Sequence, residues 1–262
     1  MELKLWNKKI PFEIEEGETP NCMTTYFIET DKSLPCVVVF PGGGYHKRAP
    51  HEGGPIAEFF NGRGMHAVVV DYRVAPNRFP SGLSDAQRAI RLIRANAEDW
   101  KIDPDRVFTC GFSAGGHLTG STLLYGDVLP SDWERDDVDG YSCAPNGGIL
   151  CYPVISVEEE YGHVGSGKNL LGEGEYAAKC KDFSLQYKVT EQTPKAFLWH
   201  TSDDNVVNVK NSLIFGERLR DCGIPFEMHI YPSGKHGLGL ALGKPDIRGW
   251  ADLAADWIER NF

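Results

Sequence analysis

Between residues 106 and 124 the chain reads RVFTCGFSAGGHLTGSTLL, and at its centre Ser113 stands between Gly111 and Gly115. An apolar, strand-like run precedes this pentapeptide and a helical pattern follows it. That context puts a serine hydroxyl on a sharp strand-to-helix turn, exposed above a sheet. The turn needs glycine at its flanks because a side chain there would meet neighbouring backbone. The chemistry it offers is nucleophilic attack, with the first N–H groups of the new helix close to the reacting oxygen. A glycine-rich connection that happens to hold a serine is the plainer alternative, and the rest of the chain decides between them.

A serine hydroxyl is a poor nucleophile until a base takes its proton. Eight histidines compete for that role. His66 and His229 fall within strand runs and read as packing or surface residues. His117 follows Ser113 by one helical turn, which favours a structural role. His46, His51 and His163 are loop residues without a partner pattern. His236 lies in YPSGKHGLGL, flanked by glycines just past the last strand-like run, and is the expected base. The base needs an orienting carboxylate. FLWHTSDDNVVN offers Asp203 and Asp204 together after another strand, and either acid is equally able to cap a helix. Position alone leaves the two open. FPGGGYH, after a third strand, offers three glycines whose N–H groups can face a developing oxyanion. It matches neither GxGxxG nor GxxxxGK[ST], so a phosphate cradle is the weaker reading.

These residues need a scaffold, and the hydrophobic pattern supplies one. Eight segments read as strands: 2–6, 24–29, 36–40, 66–72, 106–110, 148–152, 195–200 and 226–231. CVVVF, HAVVVDY and KAFLWH are near-continuous apolar runs, as in central strands buried on both faces. Helical patterns lie at 52–63, 84–98, 206–222 and 248–261. The second puts Ala86, Ile90, Ile93 and Ala97 on one face, with Ser84 as the expected cap. From the third strand onward strands alternate with helices, which predicts an α/β fold with a mostly parallel sheet and helices on both faces. Two stretches break the alternation. Residues 126–146 are acidic and irregular. Residues 156–193 are long and follow a strand end, on the side where open α/β sheets bind ligands. A lid insertion and a plain surface excursion are both open there.

The bulk properties narrow the setting. A chain of 262 residues suits one large domain, 1–262, with room for a sizeable core. With 41% hydrophobic and 24% charged residues it is globular. A net charge of -10 repels phosphate backbones and anionic lipid, so neither nucleic acid nor a membrane surface is an expected partner. MELKLWNKKI has charges where a secretory leader would be apolar, and no run approaches the length of a membrane span. The seven cysteines are odd in number and form no CxxC pair, which fits a reducing cytoplasm. Cys36, Cys110 and Cys151 read as small buried hydrophobes.

Taken together, PGGGY, VVVDYRVAP, GFSAGGHL, CYPVIS, TPKAFLWHTSDDNVV and PSGKHGLGL resemble the α/β-hydrolase esterases. Within them the chain is similar to the acetyl xylan esterase and feruloyl-esterase-like carbohydrate esterases, related to the hormone-sensitive-lipase type. The likeness runs from about Pro41 to His236. It implies the α/β-hydrolase fold and catalytic roles for Ser113 as nucleophile, His236 as base and Asp204 as acid, since Asp203 falls outside the family register. It implies an oxyanion hole from the N–H groups of Gly43, Gly44 and Ala114. Two positions depart from it: Pro41 stands where many relatives have histidine, and Asn208 where a proline often follows the valine. Asp71–Arg73 matches a structural motif of the family. The implied activity is serine carboxylic-ester hydrolysis, needing no metal and no organic cofactor, on small-molecule esters such as acetylated xylo-oligosaccharides. A small prolyl-oligopeptidase-type peptidase, a lipase and a non-catalytic binding protein on the same fold are the alternatives.

Overall fold

The computed structural model describes residues 1–7, 9–13 and 20–262. The strands are β1 (Glu2–Lys4), β2 (Cys22–Tyr26), β3 (Leu34–Phe40), β4 (His66–Val70), β5 (Ile102–Phe112), β6 (Gly147–Cys151), β7 (Lys195–Thr201) and β8 (Phe226–Tyr231). They form one sheet in the order β1-β2-β4-β3-β5-β6-β7-β8. β1–β2 and β2–β4 pair antiparallel, and the other neighbours are parallel. The helices are α1 (Gly54–Gly62), α2 (Ser81–Ala95), α3 (Ala97–Trp100), α4 (Ala114–Leu124), α5 (Val164–Leu171), α6 (Glu173–Lys179), α7 (Lys210–Asp221) and α8 (Trp250–Asn261). None is long and apolar enough to cross a membrane.

The period of two along each strand sorts the core into two layers. In β3, Cys36, Val38 and Phe40 join Ala86, Ile90 and Ile93 of α2 and Leu118 of α4. Val37 and Val39 point the other way, to Ile56, Ala57 and Phe60 of α1 and to Trp250, Ala254, Trp257 and Ile258 of α8. α7 extends the first layer, with Phe215 and Leu219 against Leu150, Ala196 and Leu198. Each of the valine, leucine, isoleucine and phenylalanine side chains among them, fully buried, is worth about 1.5–3 kcal/mol. The interior therefore holds the strands rigidly, and their carboxyl ends at β3, β5, β7 and β8 carry the candidate site.

Ser84 does not cap α2. The helix begins three residues earlier, at Ser81, and no side chain caps it. Ser84 lies in the second turn, where its hydroxyl donates to Ser81 O at 2.7 Å and accepts from Arg73 Nη2 at 3.0 Å. Tertiary demand from Arg73 overrides the local capping preference of serine. Arg73 is the buried charged residue of the stretch Asp71–Arg73. Its guanidinium forms a two-pronged ion pair with Asp85 at 2.9 Å, and both side chains are fully buried. It also donates to Pro11 O, tying the amino-terminal segment to α2. The acidic stretch 126–146 is likewise held by arginines of α2: Arg88 pairs with Asp136 and Asp139, and Arg91 with Asp127.

Asp85→Asn leaves the guanidinium of Arg73 buried without a counter-charge. The expected cost is about 3–5 kcal/mol, read from the urea unfolding midpoint at pH 7. A loss below about 1 kcal/mol would show that the remaining carbonyl acceptors satisfy Arg73 without Asp85.

Candidate active site

Ser113 sits between β5 and α4 with φ 55° and ψ −117°, in the left-handed half of the backbone map. Such a conformation costs a non-glycine residue of order 1–3 kcal/mol and persists only when its surroundings hold it. They do so here. Ser113 N donates to Cys151 O at 3.0 Å, and Ser113 O accepts from Val154 N at 3.0 Å and His117 N at 3.1 Å. A Cβ on Gly111 would overlap the carbonyl of Gly115, and one on Gly115 would overlap Phe40 O at the end of β3. Both glycines are therefore required by packing.

His236, after β8, reaches over the sheet. Its Nε2 lies 2.8 Å from Ser113 Oγ and its Nδ1 lies 2.7 Å from Asp204 Oδ2. An ionised carboxylate only accepts, so the proton sits on Nδ1 and Nε2 is free to accept from the serine hydroxyl. Asp204 follows β7. Burial pushes its carboxyl up. Hydrogen bonds from His200 and His236, the charge of His236 and the Val207 N–H outweigh that, holding it well below the usual carboxylate range. Its other oxygen accepts from Val206 N at 2.9 Å and Val207 N at 3.0 Å. Asp203 instead accepts from Gly234 N at 2.7 Å and anchors the start of the His236 loop. Asn208 accepts from Lys210 N at 2.9 Å and leads into α7.

His200 escaped the sequence reading because it lies inside a strand. It is fully buried, and its Nδ1 faces Ser212 Oγ at 2.8 Å. Its Nε2–H donates to Val207 O at 2.9 Å and lies 3.4 Å from Asp204 Oδ2. Only the i,i+4 spacing to Asp204 hinted at it.

The glycine loop after β3 runs beside Ser113. A Cβ on Gly42 would come within 3.1 Å of Ser113 Cβ and 2.6 Å of Phe112 O. Gly43 and Gly44 have φ of 134° and 65°. Pro41 has its carbonyl held by Tyr72 OH at 2.6 Å. Two further residues were invisible in the sequence. Glu52, buried behind the loop, accepts from Gly42 N at 2.8 Å and from Tyr152 OH at 2.6 Å. Tyr152 OH accepts from Gly239 N at 2.9 Å, and its ring stands edge-on to His236 with centroids 4.9 Å apart. One carboxylate thus joins the glycine loop to the loop of His236. His51 adds a second tie, from Nε2 to Gly237 O at 3.0 Å.

Ser113 and His236 open into a cavity of about 410 Å³ that is also lined by His46, His51, His163 and Asn169. Three histidines without a sequence partner pattern therefore meet at its mouth. Part of segment 156–193 forms its wall, packed down through Leu170, Leu171 and Tyr176. Asn169 Nδ2 donates to Gly44 O at 2.8 Å. A larger cavity of about 730 Å³ adjoins it, sharing His46, Lys47 and Ala49. His117 supports the site from within. Tyr45 OH donates to its Nδ1 at 2.9 Å, and its Nε2–H donates to Phe183 O at 2.9 Å.

A BD-FAE family model matches residues 26–131, and a prolyl oligopeptidase family model matches residues 151–262. The chain is 38% identical over 247 residues to endo-1,4-beta-xylanase B of Butyrivibrio fibrisolvens, covering 92% of this chain and 38% of that protein. It is 33% identical over 219 residues to an acetylxylan esterase of Xylanibacter ruminicola, covering 82% of this chain and 43% of that one. The chain thus spans about two fifths of the length of these curated relatives. The crystal structure of an acetyl ester-xyloside bifunctional hydrolase from Caldicellulosiruptor lactoaceticus superposes with a TM-score of 0.93 at 42% identity. It covers 99% of this chain and 96% of that chain.

His117 generates a pH prediction. Burial lowers it from 6.5 to about 4, against a smaller opposing effect of its bond to Phe183 O. Below pH 6.5 the unfolded chain takes up this proton first. The stabilising contribution is therefore complete above about pH 6.5 and is lost progressively down to about pH 4, at up to about 1.4 kcal/mol per pH unit. Urea midpoints at pH 7 and 5.5 should show that fall, and His117→Gln should lessen it, leaving the part due to His66 and His163, which burial also lowers. An equal fall in both proteins would assign the effect elsewhere.

Proposed function

The chain belongs to the α/β-hydrolase esterases, in the acetylxylan-esterase-like group, and on that premise we propose that it is a serine carboxylic-ester hydrolase. Its substrates in this reading are acetylated xylo-oligosaccharides or similar short-acyl carbohydrate esters. The observation that carries it is the unbroken series Asp204–His236–Ser113, with hydrogen bonds of 2.7 and 2.8 Å, ending on a serine of left-handed backbone.

His236 takes the proton of Ser113 as its oxygen attacks the ester carbonyl. Asp204 holds the imidazole in the tautomer that accepts, and His200 with the Val206 and Val207 N–H groups holds Asp204. The N–H groups of Gly43, Gly44 and Ala114 receive the developing oxyanion. This role is supported by the positive φ of Gly43 and Gly44 and by the place of Ala114 at the first turn of α4. His236 then protonates the leaving alcohol, and water releases the acid by the reverse path. Residues 156–193 serve as an insertion within one domain, docked over the site as a cap. Cysteine usage supports a reducing compartment, since Cys36, Cys110 and Cys151 are buried apolar side chains of β3, β5 and β6.

A peptidase is the second reading, favoured by the prolyl oligopeptidase match over 151–262. Turnover of p-nitrophenyl acetate and acetylated xylo-oligosaccharides, with none on proline-containing peptides, is the result expected here. The opposite preference would replace the esterase by the peptidase.

Ser113→Ala should lower kcat for p-nitrophenyl acetate by roughly 10⁶-fold while the protein keeps its unfolding midpoint. Near-wild-type turnover would remove Ser113 from the chemistry. Asp204→Asn should lose on the order of 10⁴-fold, because the imidazole tautomer is no longer fixed. Asp203→Asn should cost far less, since it touches only the start of the His236 loop. The reverse ranking would transfer the orienting role to Asp203.

A further inference from the structure

His163 precedes α5 and caps it with its ring. Nδ1 lies 3.1 Å from Ser166 N and 2.8 Å from Ser166 Oγ. A backbone N–H only donates, so Nδ1 accepts and bears no proton. Burial first, then the like charge of His236, lowers this histidine despite the opposing pull of Asp204, which keeps it neutral. The single ring proton is then on Nε2, which has no hydrogen-bond partner among the described residues. Asn169, in the last turn of α5, spends one of its two amide N–H groups on Gly44 O. Its Oδ1 has no partner among the described residues either. Both side chains line the cavity that holds Ser113 and His236.

One wall of the site therefore offers the His163 Nε2–H and the second Asn169 N–H as donors, and the Asn169 Oδ1 as an acceptor. A p-nitrophenyl or alkyl leaving group uses neither. A hydroxyl group has the complementary pair: its oxygen accepts from an N–H while its proton donates to a carbonyl. Resting on the ester-hydrolase reading above, we propose that His163 Nε2–H and Asn169 Oδ1 form a polyol subsite that recognises a free hydroxyl next to the acylated carbon of the alcohol half. The substrate class is then narrower than short-acyl esters: it is acylated sugars that keep a neighbouring hydroxyl free. Sites built to bond a hydroxyl reject the analogue lacking it, because their own polar groups are left unpaired.

The test is a substrate–residue cycle on the whole chain. kcat/KM is measured for methyl 2-O-acetyl-β-xyloside and for its 3-deoxy counterpart, with p-nitrophenyl acetate as reference. The wild type should prefer the first by on the order of 10–100-fold. His163→Asn keeps an acceptor for Ser166 N, and so the cap, but withdraws the long-reaching donor. The preference should fall to within about threefold in it, and likewise in Asn169→Ser, with unfolding midpoints showing that each variant is folded. A wild-type ratio near one, or equal ratios in wild type and both variants, would overturn the subsite while p-nitrophenyl acetate turnover leaves the hydrolase reading standing. No turnover of any of the three esters would sink that reading and the subsite with it.

Discussion

The backbone of Ser113 is the constraint on which the rest depends. A residue with φ 55° and a side chain is stable only where neighbours leave it no alternative. β3, β5 and β6 meet there at backbone distance, which is why Gly111 and Gly115 bear no side chain and why Ser113 N and O are both spent on β6 and the chain just beyond it. Such close approach requires a rigid sheet. The two-sided core supplies it, with Val38 and Phe40 packed on one face and Val37 and Val39 on the other. Sequence, core and elbow are thus links in one chain: apolar runs make buried strands, and buried strands hold the strain.

The charges follow from the same geometry. Asp204 is nearly buried yet stays an acceptor because two histidines and two backbone N–H groups surround it. Each of these donors comes from β7, the turn after it or the His236 loop, so the carboxylate also fixes how those segments sit together. Glu52 does the same on the opposite side, linking Gly42 to Gly239 through Tyr152. A buried carboxylate is costly unless it is hydrogen-bonded, and these two are bonded to the loops that must keep their spacing to within fractions of an ångström. Preorganisation of this kind is what lets aligned dipoles stabilise developing charge without reorganising at the moment of reaction.

What the sequence made legible was whatever depends on short-range pattern. Strand runs such as CVVVF and KAFLWH, the α2 face of Ala86, Ile90 and Ile93, and the glycines around Ser113 are local signals, and the structure places them as expected. His236 and Asp204 were found through glycine flanks and family register, and the structure places His236 at hydrogen-bond distance from both Ser113 and Asp204. The residues missed are those whose partners are distant in sequence. Glu52 and Tyr152 are 100 positions apart, and Arg88 of α2 finds its acids 48 and 51 positions on. Ser84 failed as a cap for the same reason, since Arg73 claims its hydroxyl. His200 looked like any strand residue. A single sequence records none of these pairings, because nothing local distinguishes a paired buried polar group from a surface one.

The central claim is that Ser113 is a nucleophile made reactive by His236. A fluorophosphonate probe tests it most directly, with the labelled peptide identified by mass spectrometry. The account predicts one label per chain, on Ser113, and labelling slowed at least a hundredfold in His236→Ala. A label on another residue, or labelling of Ser113 at an unchanged rate without His236, would contradict it.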